Sequence, residues 1–209
     1  MEPLKLAFLA TGAGATGLGT YGLYSHLSGS QKENVGTRLV SESFELLNDS
    51  HKAQWKTSLE KYNGKKDANA SNIDETKLKA ICKSLISKDK TSEADYKKAK
   101  LYCVVPQGVS ERLSKLGFKV LNTSDTTHQN EWTKLATSYV TNGKGDKQIE
   151  SLTLTTPSGS TDNNWSTLKE NCKTILGKSH WEESFDSYFE KSKMWCTEEA
   201  FNSLPKEKQ

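Results

Sequence analysis

Arginine is almost missing from this chain of 209 residues. Of its 29 basic residues only Arg38 and Arg112 are arginines, and the rest are lysines. Readers of phosphate and base edges rely on the rigid guanidinium fork, so this scarcity argues against nucleic acid as a partner. The 29 basic residues face 26 acidic ones, for a net charge of +3 without a basic stripe, and the electrostatic footprint of a nucleic-acid binder is absent as well. The four cysteines form no Cys-x-x-Cys pair and the four histidines no His-x₃₋₅-His pair, so a structural zinc site has no ligand spacing to build on. No phosphate-binding glycine loop, serine elbow or Asp-rich metal loop occurs. These absences set three expectations: no catalytic, cofactor-binding or metal residues, no cofactor, and no enzyme activity. Apolar residues make up only 33% of the chain, little for a compact enzyme. Yet five Trp, seven Tyr and six Phe at spaced positions are more than a disordered chain carries. The length suits one large or two small domains.

Charge is also missing locally. From Leu6 to Ser25 the chain reads LAFLATGAGATGLGTYGLYS, with no ionisable acid or base among Asp, Glu, Lys and Arg. A helix of about 20 residues spans the roughly 30 Å hydrocarbon core of a bilayer. Tyr21 and Tyr24 stand near one end, where amphipathic rings favour the interface. Ala13/Gly17 and Ala15/Gly19 are small-xxx-small pairs that support helix association in lipid. The expectation is a single-pass anchor contacting lipid through residues 6–25. A cleaved signal peptide fits less well, because the apolar stretch is long and Lys5 is offset by Glu2. Gly12, Gly14 and Gly17 also match the G-x-G-x-x-G of dinucleotide-binding folds. That fingerprint requires a helix next and further βαβ units, whereas a glycine-broken stretch follows here.

The rest of the chain repeats itself. Arg38-Leu39 and Phe44-x-x-Leu47-Asn48-x-Ser50 recur as Arg112-Leu113 and Phe118-x-x-Leu121-Asn122-x-Ser124. His51-x-x-x-Trp55 recurs as His128-x-x-x-Trp132, and Tyr62 matches Tyr139. Leu78-Lys79-x-x-Cys82 recurs as Leu168-Lys169-x-x-Cys172, and Lys98-x-Lys100-x-x-Cys103 as Lys191-x-Lys193-x-x-Cys196. The matches are collinear and include the chain's rarest residues, which points to tandem duplication. The expected division is an anchor at 1–27, a polar linker at 28–36, a first copy at 37–108, a second at 109–204 and a tail at 205–209.

The matched residues fall at helical spacing. Trp132, Leu135, Ala136, Tyr139 and Val140 form one apolar stripe, and Trp55, Leu59 and Tyr62 form its counterpart. Leu78, Ile81, Cys82, Leu85 and Ile86 form another. So do Trp165, Leu168, Cys172, Ile175 and Leu176, and so do Phe185, Tyr188, Phe189, Ser192, Trp195 and Cys196. One-sided stripes of this kind are helices packed on a shared core. The fold class expected is therefore mainly α, as a duplicated helical unit behind a transmembrane helix. Short β segments are expected at Phe118–Leu121 and, by alternation, at Ile149–Thr155. Val109–Leu116 reads as a helix stopped by Gly117.

The layout resembles the large paralogous families of uncharacterised proteins in haemotropic mycoplasmas, wall-less bacteria that live on red cells. The resemblance rests on the Gly/Ala-rich N-terminal segment, on LYCVVPQGVSERLSKLGFKVLNTSD, on the Trp-Thr-Lys-Leu helix and on Lys-Met-Trp-Cys-Thr near the end. It covers essentially the whole chain with loose motifs. It implies a membrane-associated, surface-exposed protein of antigenic or host-interacting type, and it carries over no functional residue.

Cysteine is the sharpest remaining feature. Each copy holds two, on apolar stripes of consecutive helices, and the duplication selects the pairs Cys82–Cys103 and Cys172–Cys196 from the three possible connectivities. Two readings stay open, a bridge in each copy or a pair of small buried hydrophobes. His51 and His128, a turn before a Trp in each copy, read as an acid–base pair or as helix-start residues bonded to nearby backbone. The second is favoured because Asn48, Ser50, Asn122, Ser124 and Asp125 look like N-caps. The function expected is a surface-displayed membrane protein that meets a host protein or another surface partner. Its rivals are an enzyme with a site between the copies and an inward-facing scaffold.

Overall fold

The protein, seen in a computed structural model, is described over residues 33–65, 71–156 and 163–205. The stretch 6–25 expected to enter the bilayer lies outside these residues. Among the described residues no helix is long and apolar enough to cross a membrane.

Helix α1 (Val35–Ser41) begins at a capping box. The Asn34 side chain accepts from the Thr37 amide at 2.9 Å while the Thr37 hydroxyl accepts from the Asn34 amide at 2.9 Å, so two orphan donors are satisfied at once. Val35 and Leu39 are fully buried. The linker expected up to residue 36 is therefore corrected at this end, because an apolar residue after a strong cap starts the folded body. Helices α2 (Lys52–Gly64), α3 (Glu75–Ile86) and α4 (Glu93–Tyr102) follow. They bury Trp55, Leu78, Cys82, Leu85, Tyr96, Ala99 and Tyr102 with α1 in a first core that ends at Val104.

A second core gathers residues from Val109 to Ala200. It is built by α5 (Val109–Lys115), α6 (Gln129–Asn142), α7 (Asn164–Leu176), α8 (Phe185–Trp195) and a short α9 (Glu198–Asn202). Gly117 follows α5 at φ +83°, a left-handed turn that L side chains adopt only with strain. Every stripe expected from the sequence faces one of these cores. The molecule is mainly helical among its described residues.

The expected strand at Ile149–Thr155 is corrected. Ile149, Leu152 and Leu154 are buried, as the alternation implies, but Ser151 turns the chain at φ +62° and no neighbouring strand pairs with it. The Tyr139 hydroxyl takes over the backbone bonding, accepting from the Ile149 amide at 2.8 Å and donating to the Leu152 carbonyl at 3.2 Å. At Phe118–Leu121 the extended leg makes a single antiparallel bridge, Val120 to Thr197, and Leu46 to Val104 is its counterpart in the first half.

The same contacts recur at matched positions. The Val35 amide donates to Lys88 O at 2.9 Å and the Val109 amide to Lys178 O at 3.0 Å. Leu47 donates to Cys103 O at 2.9 Å and Leu121 to Cys196 O at 3.0 Å. The Trp55 indole donates to Asn48 O at 2.9 Å and the Trp132 indole to Asn122 O at 3.0 Å. Tyr62 meets Tyr102 edge-on with centroids 5.0 Å apart, and Tyr139 meets Trp195 likewise at 4.9 Å.

Candidate functional site

The four cysteines sit inside the two cores. Cys82 on α3 and Cys103 at the end of α4 have Cα atoms 5.4 Å apart, and Cys172 on α7 and Cys196 at the end of α8 have theirs 5.6 Å apart. Both lie within the roughly 7 Å that a bridge requires. The sulfurs are at disulfide distance, 2.05 and 2.06 Å. The within-copy pairing expected from the sequence is the one the fold brings together.

His51 and His128 do not converge on each other. Each is the N-cap of its helix, and each ring accepts at Nδ1 from the backbone, from Asn48 N at 3.1 Å and from Asn122 N at 2.8 Å. The asparagines expected as caps make turns one step earlier, with Asn48 and Asn122 side chains accepting from Ser50 N and Ser124 N. Each histidine thus closes the turn that leads into its helix. Asp125 accepts from the Thr127 side chain and then its backbone amide, which together hold its carboxyl below the usual value.

Polar side chains do converge at the seam between the two cores. Arg112 of α5 is 6% exposed, and its guanidinium carbon sits over the Phe44 ring, 3.7 Å from the centroid. It donates to Ser43 O at 3.0 Å and to Glu42 O. Burial holds its pKa below the ordinary arginine value. Glu42 in turn accepts from the Tyr96 hydroxyl and pairs with Arg38 at 3.2 Å. Burial first, and then the Glu42 hydrogen bond, push the Tyr96 pKa up. Lys100 of α4 reaches Asp186 of α8 at 2.5 Å. His180, 5% exposed, crosses from the second half and donates from Nε2 to Lys100 O at 3.1 Å and Leu101 O at 3.3 Å. Beside it Trp181 packs on Tyr102 with centroids 6.2 Å apart. A cleft of about 380 Å³ opens here, walled by Phe44, Arg112, Lys100, Asp186 and Phe189. Among the described residues no group of three or more His, Cys, Asp or Glu side chains is placed to hold a metal ion. No protein-family model, curated protein or solved structure matches the chain.

Arg112, Lys100 and His180 are engaged with acceptors across the seam, while Arg38 and Tyr96 hold Glu42 within the first half, and the crossing bonds tie the halves together. Arg112→Ala is expected to cost about 2 kcal/mol, because two charge-assisted bonds and a ring contact are lost together. Arg112→Lys should recover little of it, since an ammonium cannot reproduce the planar fork. Urea unfolding of the two variants checks both statements, and a cost for Arg112→Ala within error of zero would discard this account of the seam.

Sequence reasoning missed His180. Its one visible signal is length: the loop Gly177–Ser184 before α8 is longer than Ser87–Ser92 before α4, and the extra chain carries His180 and Trp181 to the first core. His180 Nδ1 is buried without a hydrogen-bond partner. Burial lowers the ring pKa below the ordinary histidine value. The unfolded chain therefore binds a proton before the folded one does. Stability from this group is complete above pH 6.5 and declines as the pH falls from there toward the depressed folded value. His180→Gln, which keeps a donor and cannot titrate, should flatten that part of the stability profile. Parallel profiles for the two proteins between pH 7.5 and 5 would refute the assignment.

Proposed function

We propose that this is a membrane-anchored protein displayed on the cell surface, whose duplicated helical body works by contact with other proteins. The observation that carries the reading is the placing of all four cysteines in two pairs at disulfide distance, one in each core. Stable bridges belong to oxidising surroundings, so a body built around two of them suits the outer face of a membrane. The uncharged stretch Leu6–Ser25 supports the anchor, and the haemotropic-mycoplasma resemblance supports display to a host. The recurring contacts, Val35/Val109, Trp55/Trp132 and Tyr62/Tyr139, support duplication as the origin of the two halves.

An enzyme with its site between the halves is the rival that the seam cleft brings forward. An inward-facing scaffold is the other. Brief proteolysis of intact cells separates the outward from the inward reading. Loss of the full-length band, with a cytosolic marker spared, is the expected result. A protected body would place it inside and end the surface reading. If the seam held a catalytic centre, Arg112 and Lys100 would have to exchange their present partners for substrate.

A further inference from the structure

Each half carries a face at matched positions, sharing a phenylalanine and a lysine, and among the described residues a segment of the other half covers only the first of the two. In the first half that face consists of Phe44, Lys65, Lys97, Lys100 and Leu101. The second half covers it with the segment Ser179–Asp186, reading Ser-His-Trp-Glu-Glu-Ser-Phe-Asp. Asp186 takes Lys100, His180 takes the Lys100 and Leu101 carbonyls, and Lys65 Nζ donates to Trp181 O at 3.4 Å. Counted from Phe44/Phe118, Tyr62/Tyr139 and Cys103/Cys196, the same places in the second half are Phe118, Asn142, Glu190, Lys193 and Met194. All five line one groove of about 490 Å³.

The two lysines show what differs. Lys100 sits over Phe44 at 5.3 Å, and Lys193 over Phe118 at 5.5 Å. Lys100 is 17% exposed and finds its carboxylate across the seam, whereas Lys193, 32% exposed, turns to Glu190 on its own helix at 3.2 Å. Met194 is 39% exposed, and among the described residues only Val40 is a more exposed large apolar side chain. Helix α9 borders the groove through Glu199 and Ala200 without filling it.

We propose that the groove at Met194 docks a separate protein through a loop carrying an aromatic ring followed within a few residues by a carboxylate, the chemistry with which Ser179–Asp186 covers the matching face. The proposal rests on the duplicated, protein-contacting body argued above and names its contact surface. A second copy of this chain is the poorer occupant. Its own Ser179–Asp186 is already seated, and its corresponding segment, Ser87–Glu93, has no aromatic, while Glu93, at the place of Asp186, already pairs with Arg38. Apolar anchors ringed by complementary charge are the usual centre of such contacts.

The test titrates full-length protein into a fluorescent peptide of the sequence Ser-His-Trp-Glu-Glu-Ser-Phe-Asp and follows anisotropy. Saturable binding is expected, weakened about tenfold or more by Met194→Asp and by Lys193→Glu, both at exposed positions. Lys100→Ala, at the covered face, should leave it unchanged. No binding at millimolar peptide, or binding indifferent to Met194→Asp, overturns the proposal. So does a concentration-dependent dimer of the chain alone that Met194→Asp abolishes, which would seat a second copy in the groove. None of these outcomes depends on which side of the membrane the body faces, so failure here is separable from failure of the surface reading.

Discussion

Trp132→Ala is expected to lower the unfolding free energy by about 3–5 kcal/mol, and Trp55→Ala by a similar amount. Trp132 is fully buried and Trp55 is 4% exposed, and each anchors the helix that follows its histidine-closed turn. Truncation removes the largest side chain of each helix and leaves a cavity that closely packed neighbours fill only in part. It also leaves the Asn122 or Asn48 carbonyl without its indole donor. Trp132→Phe separates the two effects, since it keeps most of the apolar volume and loses the donor, and it should cost about 1–3 kcal/mol. Because each ring belongs to its own core, the two truncations are far enough apart in contact to act nearly additively. Guanidinium unfolding of the two singles and the double checks this. A cost below about 1 kcal/mol for Trp132→Ala would mean that the second core does not depend on its largest buried ring.

The helices that carry these rings were legible because helix burial leaves a period of about 3.6 in the local sequence. Trp132, Leu135, Ala136 and Tyr139 are all buried on one face of α6, as their spacing implies. Alternation is a weaker signal. Leu152 and Leu154 point inward from Ile149–Thr155 as a strand's residues would, yet a strand needs a second edge, and local spacing says nothing about where one lies. Here a tyrosine hydroxyl supplied the missing partner, and positive φ at Ser151 bent the chain away from extension. The capping asparagines were misplaced by a similar margin, because an Asn that closes a turn onto Ser50 or Ser124 looks in sequence like an Asn that caps a helix.

The seam was not legible at all. Arg112 is conspicuous as one of two arginines, but its acceptors, Glu42 O and Ser43 O, are backbone atoms far back in the chain. Backbone carbonyls carry no residue signature, so no motif could announce them. His180 presents the same difficulty, bonding to the carbonyls of Lys100 and Leu101. Only comparison of the two halves exposes it, as a difference in loop length where their helices otherwise agree. The two halves thus bury matching stripes, while the loop that joins them at the seam, Gly177–Ser184, has no equal in the first half.

Removing one cysteine pair, by Cys82→Ala with Cys103→Ala or by Cys172→Ala with Cys196→Ala, is expected to cost about 3 kcal/mol. In the chain-entropy model this follows from closing loops of 21 and 24 residues in the unfolded chain. The two costs should nearly match, since the loops differ little in length and the entropy grows only with the logarithm of that length. All four residues are at most 3% exposed, so alanine replaces them in the core without burying a new polar group. If the sulfurs are unbonded in cells, the same substitutions remove only small apolar contacts, and adding a reductant to the unmodified protein changes nothing. If they are bonded, reductant breaks both bridges and should lower its unfolding midpoint by about as much as the two double substitutions combined. Thiol labelling carries the result to the membrane. Protein taken from intact cells and denatured should accept label only after reduction. Labelling before reduction would show four free thiols, and the body would then lose its strongest tie to the oxidising side while keeping its helices, whose apolar faces do not depend on the bond.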